Sequence, residues 1–191
     1  MNETLKLGLI LFIITAVSAS VLAVSNNITA PKIAEADRIK DESAKREILP
    51  DGDEFRPLDE NKLKEIQSID SNILEIYEGY SGSDLIGYTV KAKTNGYGGE
   101  IEFMTGISIE GKIMGIKILN HGETPGLGAN AEKPYFSESF KNKSVEKELI
   151  AVKKHEGDNE VQALTSATIT TTAVVSEVNV VREIYNSKLA N

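Results

Sequence analysis

An α+β protein with one N-terminal membrane-spanning helix is what this sequence predicts, and three observations carry the prediction. From Leu7 to Pro31 there is no charged residue, and residues 7–24, LGLILFIITAVSASVLAV, are almost wholly apolar. From Ile73 onward come four short alternating runs, NILEIYEGY, DLIGYTVKAK, GEIEFMTGISIE and KIMGIKILN, broken by Gly79 to Ser83, Asn95-Gly96 and Glu110-Gly111. The alternation predicts strands, and the short breaks predict antiparallel hairpins. Near the C-terminus, Val174, Val178, Val181 and Tyr185 recur at helical spacing, flanked by Val175 and Ile184. That face predicts a helix closing the core over the sheet.

The elements follow in order. Residues 1–6 form a short tail and 7–28 the anchor, whose apolar core, residues 7–24, at about 1.5 Å per residue covers most of the ~30 Å hydrocarbon layer. A cleaved signal peptide is the rival reading, with Val21-Leu22-Ala23 as a cleavage site; Lys6, the single basic residue ahead of the core, makes a thin leader and favours a retained span. Lys32, Arg38 and Lys40 follow the span, so the positive-inside count places the C-terminal bulk weakly in the cytoplasm. Residues 29–49 read as a linker helix capped by Thr29, with Pro31 in its first turn and Pro50 ending it. PDGDEFRPLDE is a turn-rich connector completing a 29–60 linker, and 61–191 form the folded domain. Within the domain, Asn61 to Asp70 is a short helix, 133–142 another, and 148–154 a further strand.

Composition narrows the function. Of 191 residues, 40% are hydrophobic and 26% charged, as in folded chains. The net charge of −8 argues against a nucleic-acid partner, which needs clustered Lys and Arg. With no cysteine there is no thiolate metal site, iron–sulfur cluster or cysteine nucleophile. Two histidines, His121 and His155, make a multi-histidine metal site unexpected, so no metal site is assigned. No HExxH is present, nor a Gly-flanked serine with a histidine partner, so no catalytic constellation is assigned either.

Three runs remain. TSATITTT, within QALTSATITTTAVV (162–175), places five threonines and a serine between Thr165 and Thr172, at the start of the closing helix. Helix N-termini bind anions through free N–H groups, phosphate above all, and a hydroxyl there can hold a phosphate by hydrogen bond or ester. The plain alternative is a set of N-caps. HGETPGLGAN (121–130) is a glycine-rich loop; its GLGANA matches a dinucleotide fingerprint only on paper, because it follows antiparallel hairpins rather than a parallel strand. NGYGGE (95–100) reads as a turn.

Together these residues resemble the FMN-binding domain shared by the G subunit of the Rnf electron-transport complex and the C subunit of the sodium-pumping NADH:quinone reductase. In that family a D-x-x-[S/T]-G-A-T motif precedes the last helix, and its final Thr is esterified to the phosphate of FMN. The matching run here is Gln162 to Thr168, with Gln162 and Ser166 in place of the usual Asp and Gly. The resemblance therefore implies covalent FMN on Thr168, with Thr165, Ser166, Ala167 and Ile169 around the phosphate. The HGETPGLG run looks like the family's second signature, which places Glu123, Thr124, Gly126, Leu127 and Gly128 beside the flavin.

The resemblance also implies a role. It points to an electron-transfer subunit of an ion-translocating ferredoxin:NAD oxidoreductase, a redox subunit without substrate turnover of its own. Its partners would be the other membrane subunits and, transiently, a magnesium-dependent flavin transferase that uses FAD. The domain would lie outside the cytoplasm on a single span of the cell membrane, against the charge count. Two alternatives stay open: a component like the C subunit of the NADH:quinone reductase, and a flavin-free anchored scaffold.

Overall fold

The computed structural model describes residues 2–154 and 156–190, so His155 lies outside the described residues. Two units are distinct, Met1–Asp41 and Glu42–Asn191. From Glu3 onward the first is helical, within α1 (Glu3–Ile48). Its apolar stretch is long enough to cross a membrane, and Leu7, Phe12, Ile14 and Leu22 are all exposed. No helix boundary falls at Thr29: the Thr29 hydroxyl donates back to Ser25 O, and Pro31 sits inside α1. The expected separate linker helix is therefore a continuation of the anchor helix. Apolar periodicity could not reveal this, because Ile28, Ile33 and Ile39 on either side of Thr29 are all exposed and no buried stripe marks a boundary there.

The second unit is built on a six-stranded antiparallel meander, ordered β1 to β6. The strands are β1 (Glu54–Pro57), β2 (Ile73–Ser81), β3 (Asp84–Asn95), β4 (Glu100–Ser108), β5 (Lys112–His121) and β6 (Lys143–Ser144). β1 is a correction to the connector expected there: its four residues add an edge to β2, and a polar, proline-ended edge strand carries no alternation to betray it. Between them α2 (Glu60–Ile69) starts where Asp59 accepts from the N–H groups of Asn61 and Lys62. Past β5 come a 3-10 turn at Gly128–Glu132, then α3 (Pro134–Ser137) with a second 3-10 turn at Glu138–Phe140. Next are β7 (Ile150–Val152) and β8 (Glu160–Gln162), which pair in parallel, a pairing no local pattern suggests. α4 (Thr168–Ile184) then runs into a π turn at Tyr185–Leu189.

Both faces of the sheet are covered. One packs against α4 through Val90, Ala92, Ile101, Phe103, Ile107 and Ile113 from the strands and Val174, Val178 and Val181 from the helix, all fully buried. The other holds Ala44 and Ile48 from the end of α1 against Met104 and Leu119. Strict alternation would send Ile113 and Ile116 to opposite faces. A bulge in the β4–β5 ladder, with Gly115 at φ 151°, turns both toward α4. The closing helix thus buries the face its spacing predicted.

Candidate functional site

α4 begins in an unusual way. Its N-cap is Ala167, which has no side-chain oxygen to cap with, although hydroxyls stand on both sides of it. Each hydroxyl has another place. Thr171 points inward: its Oγ1 accepts from Leu164 N–H and donates to Ala167 O, tying the approach strand to the first turn. Thr170, 1% exposed, donates to Glu123. Thr165, Ser166 and Thr168 are exposed, with Thr168 the first residue of the helix. The cluster is therefore not a set of caps, and the open N-terminus of a 17-residue helix faces outward beside a free hydroxyl.

Ser166 has φ 60°, a left-handed conformation unusual outside glycine. Replacing it by glycine removes that strain. Ser166→Gly should stabilise the domain by about 1 kcal/mol. The melting temperature should rise by about 2–4 °C; a fall on calorimetry would contradict the backbone geometry.

Two loops meet this helix start. In the first, the β3–β4 turn closes with Gly96 N–H on Gly99 O at 2.8 Å. In the second, after β5, the N–H groups of Leu127 and Ala129 both reach Thr124 O. Glu123 joins all three segments. It is 6% exposed, and its Oε1 accepts from Gly98 N–H at 2.8 Å while its Oε2 accepts from Thr170 at 2.7 Å. His121 orients the residue from behind: its Nδ1 accepts from Glu123 N–H, and its Nε2 lies 3.2 Å from Glu132.

The three segments enclose a cavity of about 370 Å³, lined by Tyr97, Glu123, Thr124, Leu127 and Gly128 and by Ser166 to Thr170. The volume lies in the range of small-molecule sites. Its rim carries exposed apolar side chains, Tyr97 at 74%, Ile169 at 55% and Leu127 at 42%. The lining holds no Lys or Arg, so an anion placed there would rest on the N–H groups of α4.

Of the residues expected from sequence, Glu123, Thr124, Leu127, Gly128, Ser166, Ala167, Thr168 and Ile169 line this cavity. Gly126 and Thr165 do not: Gly126 shapes the loop, its carbonyl accepting from Asn130, and Thr165 is exposed ahead of the helix. Gln162 lies in β8, its amide donating to Lys153 O and Ala163 O. Two lining residues fall outside the expectation. Thr170 lies four residues before Val174, on the inward face, which is a readable signal; Tyr97 sits in a run that reads as a plain turn.

Comparison with known proteins gives this geometry its class first. The model of the FMN-binding domain matches residues 96–183, from the β3–β4 turn to the end of α4. The C subunit of a Na+-translocating NADH-quinone reductase from Parabacteroides distasonis shares the fold. It is 25% identical with a TM-score of 0.53, over 61% of this chain and 63% of that one. The chain is an FMN-binding-domain protein with an N-terminal apolar helix.

Two relatives narrow this further. The G subunit of the Na+-translocating ferredoxin:NAD+ oxidoreductase complex of Acetobacterium woodii is 42% identical over 95% of this chain and 91% of its own length. The G subunit of the proton-translocating ferredoxin:NAD+ oxidoreductase complex of Clostridium ljungdahlii is 33% identical over 85% and 80%. The chain belongs to the G-subunit family of ion-translocating oxidoreductase complexes.

Proposed function

We propose that this chain carries FMN as a phosphoester on Thr168 and serves as the electron-transfer subunit of a membrane-bound ferredoxin:NAD+ oxidoreductase. The observation that carries the attachment is the free Thr168 hydroxyl at the lip of the cavity, on an α4 whose N-cap leaves its N–H groups without a side-chain acceptor. The residues fit the group. The helix start receives a phosphate, and Gly128 leaves open a wall that a Cβ would fill, at 1.9 Å from Glu123 Oε2. FMN supplies the redox chemistry when bound.

The chain supplies position. Ser166, in its left-handed conformation, turns the backbone so that Ala167 and Thr168 enter the helix facing the cavity. With no cation in the lining, the helix N-terminus must carry the phosphate, and an ester lowers the charge it has to hold. Attachment by a transferase from FAD conserves atoms: the Thr168 O–P bond forms, the pyrophosphate bond breaks, AMP leaves and the hydroxyl proton goes to solvent.

The partners are the other subunits of the complex. The high identity to ferredoxin:NAD+ subunits favours that assembly over the quinone reductase. The domain lies outside the cytoplasm, where a covalent link keeps a cofactor that cannot be replenished, and the apolar helix crosses the membrane once.

The test is a mass measurement. Chain purified from cells holding the transferase should exceed its sequence mass by one FMN less a water, and fluoresce in a denaturing gel. Thr168→Ala should be dark and at sequence mass. A native polypeptide from the intact complex without the added mass would refute the ester and favour the flavin-free scaffold.

A further inference from the structure

We propose that Glu123 sets the reduction potential of the group held in the cavity: a negative side chain sealed into its wall makes the bound flavin harder to reduce. This rests on the flavin reading above and goes beyond it, because it assigns one residue of the wall an electronic effect.

The carboxylate has a place built for it. Gly96 and Gly128 flank it so closely that a Cβ on either would lie 2.2 Å from Oε1 or 1.9 Å from Oε2. Both oxygens are engaged, Oε1 by the Gly98 N–H and Oε2 by the Thr170 hydroxyl. Its partners are neutral dipoles: among the described residues Glu123 forms no ion pair with a Lys or Arg. His121 turns its accepting Nδ1 toward the Glu123 N–H. The charge is thus held in place without being cancelled, and at 6% exposure water screens it poorly. Two-electron reduction of a flavin adds negative charge to its ring, and a fixed anion in the same cavity opposes it.

Glu123→Gln keeps shape and an acceptor for Gly98 N–H, and its amide can donate to Thr170; only the charge goes. In flavin-loaded protein, the midpoint potential should rise by at least the equivalent of tenfold in the two-electron equilibrium, about 30 mV. Thr170→Val keeps the charge and removes a dipole that offsets it, so its midpoint should fall. A purely structural clasp would lower the melting temperature of both variants without opposite shifts in potential. Loaded variants with unchanged potential, or with shifts of the same sign, overturn the inference while leaving the flavin reading intact. A wild-type chain bearing no flavin overturns both.

Discussion

Gly98→Ala should destabilise the folded domain by about 3 kcal/mol. The expected loss is large because the obstruction is backbone on both sides. A Cβ at position 98 would lie 2.3 Å from Gly122 O, 2.9 Å from Gly122 C and 3.0 Å from the Glu123 Cα. No side chain is present to rotate away, so the 95–99 turn or the 121–123 segment must move by roughly an ångström, and a packed interior resists that. Either shift also stretches the 2.8 Å bond from Gly98 N–H to Glu123, leaving a buried carboxylate oxygen short of a donor. The melting temperature should fall by about 6–12 °C. Flavin loading should fall with it, since both displaced segments line the cavity. A urea midpoint equal to wild type would show that the two loops do not approach as described.

The second large effect is a gain. Glu177 lies on the inward side of α4, 5% exposed; its Oε2 accepts from Asn72 and its Oε1 has no partner. Burial, reinforced by the nearby Asp70 charge and only partly offset by the Asn72 amide, pushes its pKa from the ordinary 4.5 to about 7. The folded state therefore holds a proton that the unfolded chain releases near pH 4.5. Stability associated with this group is fully present below that pH and is lost as pH rises toward about 7. Glu177→Gln is neutral throughout. It should remove that slope and, at pH 8, stabilise the domain by about 2 kcal/mol, or about 4–8 °C. Parallel stability curves for the two proteins between pH 4.5 and 8 would rule this account out.

Some of this was legible in residue order. The α4 face was, because Val174, Val178 and Val181 repeat at the period of a helix and nothing else satisfies them. The hairpins were, because each alternating run ends in a turn signal. The two motifs that frame the cavity were also visible, though as separate runs some 40 residues apart. The end of the anchor helix was not. Pro31 after Thr29 is a common start signal, but here it lies inside α1, where it removes one backbone donor and crowds the carbonyl four residues earlier without ending the helix. β1 was invisible for a related reason: four residues with one side chain half covered have no pattern of their own.

The sequence by itself determined the classes of segment: an apolar span, a meander of strands, a closing helix, and a threonine-rich start to that helix. Those are properties of local periodicity and composition, and neighbours along the chain are enough to set them. Only the tertiary structure decided which hydroxyls stay open at the cavity. Thr170 and Thr171 are drawn inward by Glu123 and by the Leu164 backbone, and Ser166 and Thr168 are left exposed in its lining. That division depends on a carboxylate 47 residues earlier in the chain. Such a contact exists only once the β3–β4 turn, the loop after β5 and the first turn of α4 have been packed together.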